Sequence, residues 1–233
     1  MRDRAVAIVS GGLDSTTLAY FLRDQGYDLH ILSFDYGQKH AKELVFAAET
    51  ALALHSQFNV IDLQSLAPLI SNSALTSDRE VPEGHYSEES MKQTVVPNRN
   101  SIMLAIAWGV AVSDGAPLVT YAAHTGDHAI YPDCRPEFVD AFTHAEELAN
   151  QGFGETTLWA PFIHKSKAGI VEIGEKAGVP WRKTWSCYQG GAVHCGRCGT
   201  CVERQEAFHL ARVLDPTDYE DSEYWKSAIA QGA

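Results

Sequence analysis

Residues 5–22 read AVAIVSGGLDSTTLAYFL. A strand-like AVAIVS stops at Ser10-Gly11-Gly12-Leu13-Asp14-Ser15, and a helix-like TTLAYFL follows. Two glycines at such a junction let main-chain amides approach a ligand closely and adopt conformations closed to other residues. The helix behind them presents unbonded N–H groups and the positive end of its dipole to the same place. Ser10, Ser15 and Thr16 add hydroxyl donors, so the turn is suited to an anion. Asp14 is out of place beside a phosphate unless it holds a Mg²⁺ ion that the phosphates share. A plain strand-to-helix turn with Ser15 as cap accounts for the glycines but not for the whole string.

Working outward, strand-like and helix-like segments alternate. Strands are predicted at 5–10, 27–37, 57–63, 117–123 and 156–162, and helices at 15–25, 39–54, 100–115, 136–151 and 165–178. The stretch 71–96 is polar and reads as a long excursion or lid. This pattern predicts an α/β fold: a doubly wound, mostly parallel five-stranded sheet of Rossmann-like type with a C-terminal helical, metal-binding region. The division is 1–182 for the α/β domain and 183–233 for the cysteine-bearing helical region. In such sheets ligands bind beyond the carboxyl ends of the strands, so chemistry is expected just after residues 10, 34, 123 and 162.

The chain has 233 residues, 45% hydrophobic and 21% charged, within the range of globular domains. No uninterrupted apolar run approaches the roughly 20 residues of a membrane span, and MRDRAVAIVSGG is unlike a secretory leader. The expectation is a cytoplasmic protein with no membrane partner. A net charge of −12 argues against nucleic acid as a partner, because such binding rests on phosphate neutralisation. A local basic patch around Arg197 and Arg204 remains open.

SCYQGGAVHCGRCGTC places Cys187, Cys195, Cys198 and Cys201 in a C-x7-C-x2-C-x2-C array. Two overlapping CxxC steps let neighbouring thiolates grip one ion, and Cys187 returns as the fourth arm. Gly196 and Gly199 supply the tight turns that point amides at sulfur. Four thiolates close a tetrahedral shell, which fits one structural Zn²⁺, with an iron–sulfur cluster as the alternative. His194 is read as a neighbour of this set and not a ligand.

Other unusual residues fall at the expected rim. FDYGQKHAKE crowds Asp35, Tyr36, Gln38, Lys39 and His40 behind the second strand. VVPNRNSIML sets Arg99 before an apolar helix, where its guanidinium fork suits phosphate or carboxylate, and Asn100 is a possible cap. HTGDHAIYPDCRPEF concentrates His124, Asp127, His128, Tyr131, Asp133, Cys134 and Arg135. Cys134 could act as a nucleophile, but no activating base stands beside it in the sequence. Lys165 and Lys167 open the helix after the fifth strand, where Lys167 either lies on the surface or reaches phosphate.

SGGLDS resembles the pyrophosphate loop of the ATP pyrophosphatase (PP-loop) superfamily. DYGQKH, PNRN, YPDCRP, TWSCYQGG and CGRCGTC follow it in the order of one branch, the 7-cyano-7-deazaguanine synthase family of queuosine-precursor biosynthesis. HTGDHAIYPDCR departs from the more acidic stretch of many relatives, which leaves His124 and His128 without an assigned role. The resemblance implies an ATP-dependent ligase forming C–N bonds. It would act on a 7-deazaguanine carboxylate and ammonia, activate the carboxylate and then the amide, and release a nitrile. Ile8, Val9, Ser10, Gly11, Gly12, Leu13, Asp14, Ser15, Thr16, Thr17 and Leu18 would contact ATP and its Mg²⁺. Asp14, Arg99 and Lys167 would be catalytic, and Tyr36, Tyr131, Asp133 and Arg135 would contact the substrate. A homodimer is also implied, with a zinc-side helix at 201–213 as a candidate exposed surface. Competing readings are a tRNA thiolase or lysidine-type ligase of the same superfamily, an amide ligase of the NAD synthetase type, and a non-catalytic zinc-binding module.

Overall fold

The structure is a computed structural model and describes residues 3–38, 42–70, 73–77, 79–85 and 89–232. Lys39 and His40 lie outside the described residues. Five parallel strands form one sheet in the order β3-β2-β1-β4-β5: β1 Arg4–Ile8, β2 Asp28–Asp35, β3 Gln57–Asp62, β4 Leu118–Thr120 and β5 Thr157–Trp159. The helices are α1 Leu13–Asp24, α2 Lys42–Ala53, α3 Arg99–Asp114, α4 Pro136–Ala149, α5 Lys167–Ala177, α6 Gly199–Ala211 and α7 Tyr224–Gly232.

The central strand explains the layering. Ala5 and Ala7 face α1, α5 and α6, packing with Leu18, Ile170 and Phe208. Val6 on the alternate face packs with Leu104, Ala107 and Trp108 of α3. Both faces of β1 are covered, as a near-continuous apolar run in a parallel sheet requires. Edge strand β3 is largely exposed or half-buried instead.

The chain leaves β1 toward β2 and β3 on one side and later returns to place β4 on the other. The crevice between the C-terminal ends of β1 and β4 is therefore the point where strand order reverses and ligands bind in such folds. Strands β4 and β5 are shorter than predicted because residues 121–123 and 160–162 leave the ladder to build this rim.

The segment 71–96 is not a detached polar excursion among its described residues. Leu75 and Met91 enter the main core, and Val81 packs beside the cysteines. Met91–Asp114 has the length and mean hydropathy (24 residues, 1.2) of a membrane span. Its α3 portion packs on the sheet, with Leu104, Ala107 and Ala111 fully buried.

Helix α6 is also not the exposed surface predicted for 201–213. Gly199 through Gln205, Ala207 and Phe208 are buried. Phe208 meets Trp181 edge-on with centroids 5.1 Å apart. Arg204 is fully buried, donating to Thr184 Oγ1 (2.8 Å), Ser186 Oγ (3.1 Å) and the Trp181 carbonyl (3.2 Å), with Asp215 at 3.5 Å. It ties α6 to the preceding turn and contributes nothing to a surface basic patch.

Candidate active site

The turn between β1 and α1 is held from several sides. Ser10 N donates to Ser15 Oγ (3.1 Å), and the two hydroxyl oxygens lie 3.1 Å apart. Gly12, not Ser15, occupies the cap position of α1. Gly11 has φ +86°, and a β-carbon there would strike the Glu43 carbonyl and lie 2.7 Å from Ala47 N. Its glycine is thus required by the seating of α2 as well as by backbone conformation. Trp185 N donates to the Gly11 carbonyl (2.9 Å), pinning the turn from the cysteine region.

A cavity of about 260 Å³ opens at this turn. Ile8, Val9, Ser10, Gly12, Leu13, Asp14 and Ser15 line it. Thr16, Thr17 and Leu18, predicted as nucleotide contacts, are fully buried and do not line it; Thr17 Oγ1 donates to the Leu13 carbonyl (2.8 Å). Helical periodicity turns this second half of the string into the core, and Gly11 lies behind the lining surface.

Three elements converge on one ammonium group at the phosphate-loop end. Lys167, from the first turn of α5, donates to Asp14 Oδ2 at 2.7 Å and pairs with Glu203 Oε2 of α6 at 2.9 Å. His124 Nε2 lies 3.3 Å from the same Nζ. His124 Nδ1 accepts from Gly126 N (3.0 Å), which leaves a ring proton on Nε2, toward Asp127 Oδ2 at 3.6 Å. Burial works to raise the Asp14 pKa, but Lys167 and His124 outweigh it and hold the carboxyl below its usual range. Burial likewise opposes the Lys167 charge, which Asp14 and Glu203 restore, holding its pKa well above the ordinary value. Asp14 Oδ1 is buried with no partner among the described residues. A carboxylate oxygen left bare beside a phosphate-type turn fits a divalent cation brought in with a nucleotide.

The opposite end is built differently. Arg99, at the start of α3, places its guanidinium 5.7 Å from the Tyr36 ring centroid and 6.0 Å from that of Tyr131. It donates weakly to Tyr36 Oη (3.5 Å) and has no carboxylate within ion-pair distance among the described residues. Asn98 in the left-handed region (φ 58°) precedes α3, and Asn100 is not the cap; its N donates to Asp133 Oδ2 (3.2 Å). Glu43 from α2 also lines this end, its Oε1 accepting from Gln38 Nε2 (3.1 Å).

Tyr36 and Tyr131 line the cavity, whereas Asp133 and Arg135 do not. Asp133 is spent on the first turn of α3, and exposed Arg135 donates to the His128 carbonyl (2.8 Å). Cys134 does line the cavity, but burial pushes its thiol far up, with the Asp127 and Asp133 carboxylates adding to the rise, and its Sγ–H points at Asp133 Oδ1 at 3.9 Å. Asn100 Nδ2 donates to its Sγ (3.3 Å), giving it a packing role. Asp35 accepts from Gly37 N and Gln64 Nε2 and stays outside the cavity. Lys165 is exposed, and its carbonyl receives Thr125 N and Oγ1.

Beside the cavity, one donor atom from each of Cys187, Cys195, Cys198 and Cys201 lies within 4.8 Å of the others. A tetrahedral zinc–thiolate shell requires sulfurs about 3.8 Å apart, and Cys195 Sγ is 3.9 Å from Cys201 Sγ. Amides aim at sulfur as the turns predict: Arg197 N and Cys198 N reach Cys195 Sγ, and Gln189 N and Cys195 N reach Cys187 Sγ, at 3.3–3.4 Å. The four thiols fit a metal ion, and His194 is committed elsewhere. Its Nε2 accepts from Ser186 N (3.1 Å) and its ring lies 4.3 Å from that of Trp185. Lys42 sits 4.0 Å over Trp185 and donates to the Gly191 carbonyl (2.6 Å), clamping this loop to α2.

Glu203 and Glu43 escaped the sequence reading. Glu203 follows the last cysteine by two positions inside a helix, and only its neighbour Arg204, another charge in a stretch that must pack, hinted at burial. Glu43 resembled an ordinary acid in a helix's first turn.

A parallel sheet with an anion turn at its switch point, a lysine and a bare carboxylate beside it, and a four-cysteine knot define a PP-loop synthetase fold. Solved structures of similar fold include a U34-tRNA thiolase, NcsA, from Methanococcus maripaludis with its 4Fe–4S cluster (TM-score 0.50, 13% identity, covering 100% of this chain and 72% of that one). NMN synthetase from Francisella tularensis is another (TM-score 0.50, 13% identity, 97% and 84%). At such identities the likeness is one of fold alone. Within that class the chain belongs to the family described as queuosine biosynthesis protein QueC, whose model matches residues 4–212. Relatives named 7-cyano-7-deazaguanine synthase are 54% identical in Rhizobium leguminosarum bv. trifolii (98% of this chain, 97% of the relative) and 51% in Paracoccus denitrificans (98% of each).

Proposed function

We propose that the chain is an ATP-dependent ligase that converts 7-carboxy-7-deazaguanine and ammonia to 7-cyano-7-deazaguanine. The observation that carries this reading is the Arg99 guanidinium, without a carboxylate partner among the described residues, across one cavity from the phosphate turn in a chain of this family. A carboxylate substrate needs such a cation, and an ATP-consuming activation needs the turn.

ATP's phosphates lie along Ser10, Gly12 and Ser15, with Lys167 stabilising charge on the departing pyrophosphate. Asp14 would hold a Mg²⁺ ion, which would supply screening of the phosphate charge. The substrate ring rests among Tyr36 and Tyr131, its carboxylate toward Arg99. ATP activates the carboxylate as an acyl-adenylate, ammonia displaces AMP to give the amide, and a second activation of the amide oxygen permits loss of that oxygen to give the nitrile. The four cysteines hold one structural Zn²⁺. The region 183–233 acts as a docked module on the 1–182 domain, sending Glu203 and Trp185 to the site. The enzyme works in the cytoplasm as a homodimer.

Mass spectrometry of the deazapurine after incubation with ATP, Mg²⁺ and ammonium tests the reading. A nitrile is expected, and accumulation of the amide alone would favour an amide ligase. Metal analysis of the purified protein should find one zinc per chain, and visible sulfur-to-iron absorption would indicate a cluster instead.

A further inference from the structure

Among the described residues, three carboxyl side chains line the cavity: Asp14, Glu43 and Asp127. Asp14 is paired to Lys167 at 2.7 Å. Asp127 Oδ2 accepts from His124 N at 3.2 Å and faces the His124 ring at 3.6 Å. Glu43 has one neutral donor, Gln38 Nε2, and its Oε2 has no hydrogen-bond partner among the described residues.

The placement of Glu43 is fixed rather than incidental. Its own carbonyl is packed where a β-carbon on Gly11 would sit, so the first turn of α2 is held against the phosphate turn. Gln38, its donor, is itself anchored, donating to the Phe34 carbonyl (3.1 Å) and accepting from Tyr36 N (2.9 Å). Among the described residues, the charged or titratable groups facing Glu43 are Arg99 of α3 and Tyr36 behind β2. The adjacent Lys42 is turned away to Gly191, Ala192 and Trp185.

We propose that Glu43 is the proton acceptor for the nitrogen in both C–N bond-forming stages, an inference that rests on the function proposed above. In the first, ammonia's lone pair attacks the acyl-adenylate carbon. The C–O bond to AMP breaks with its electron pair, and one N–H proton passes to the Glu43 carboxylate. In the second, attack of the amide oxygen on ATP expels pyrophosphate. The resulting cation loses two N–H protons as its C–O bond to AMP breaks, and the remaining electrons complete the C≡N bond. Glu43 takes these protons one at a time, returning each to solvent. A base is needed at each rise in C–N bond order, and Glu43 is the cavity carboxylate not already committed to a cation or to main-chain N–H groups. Burial supports the role by pushing its pKa up to about 7, against Arg99 and Gln38.

The test compares wild type with Glu43→Gln at saturating ATP and constant free ammonia, following amide and nitrile across the neutral pH range. The wild-type rate should rise with pH through one ionisation near neutrality. Glu43→Gln should lose that rise and about a hundredfold or more in rate, with its metal content and circular dichroism unchanged. Glu43→Asp should recover part of the rate together with a pH-dependent limb. A Glu43→Gln rate within about threefold of wild type, with the limb intact, would overturn the assignment on the scale expected for general-base catalysis. A wild-type protein that forms no nitrile at any pH would overturn the underlying function, and this inference with it.

Discussion

The two ends of the cavity treat charge in opposite ways. At the phosphate turn, Lys167 of α5 is paired within 3 Å with both Asp14 of α1 and Glu203 of α6. At the far end, Arg99 faces tyrosine rings and Glu43 faces an amide, with no ion pair between charged side chains among the described residues. The first end is assembled by folding, and the second is left for a substrate to complete. Stability and turnover should therefore separate along the cavity.

Lys167→Met should produce the largest effect. It leaves Asp14 and Glu203 buried without their cation, which costs about 3–5 kcal/mol when a buried pair is broken, and it removes charge stabilisation worth about 10²–10³ in rate. Chemical denaturation and a nitrile assay would register both losses. Arg99→Met should match that loss of turnover while costing far less stability. Equal destabilisation by the two variants would erase the contrast.

A subtler test uses pH. Glu43 has a folded-state pKa of about 7 against an ordinary 4.5. Its contribution to stability is complete below the unfolded value and is lost as pH rises through the folded one, because ionisation then favours the unfolded chain. Glu43→Gln should therefore be relatively more stable than wild type above neutrality than at pH about 4, read from melting temperatures at both. A constant difference between the two proteins would contradict the burial of this carboxyl. The smallest effect belongs to Arg135→Ala, which should leave KM for the carboxylate within about twofold, as expected for a surface residue.

Much of this arrangement was legible in the residues. The five strands, their parallel order and the cysteine array follow from periodicity and spacing, because both are local. Asp14 and Lys167 meet at one rim because the ends of β1 and β5 flank β4 in the sheet, and Arg99, at the start of α3, lines the same cavity. Thr16 to Leu18 were over-assigned because a motif read as a string ignores that a helix turns every fourth residue inward. Asp133 and Arg135 were misplaced because loop direction is decided by tertiary partners, here the start of α3 and the His128 carbonyl. Glu203 required knowing that α6 docks on α5, a long-range contact with no local signature. The cysteine array and the phosphate turn are separate in the sequence, yet Trp185 and Glu203 join them in space.

Each step proposed for this cavity requires ATP at the β1–β4 crevice. A crystal structure with Mg²⁺ and a non-hydrolysable α,β-methylene ATP analogue should show its β- and γ-phosphates against the amides of Ser10 to Ser15, beside Lys167, and its α-phosphate directed toward Arg99. Nucleotide bound away from the β1–β4 crevice, with that turn empty, would contradict it.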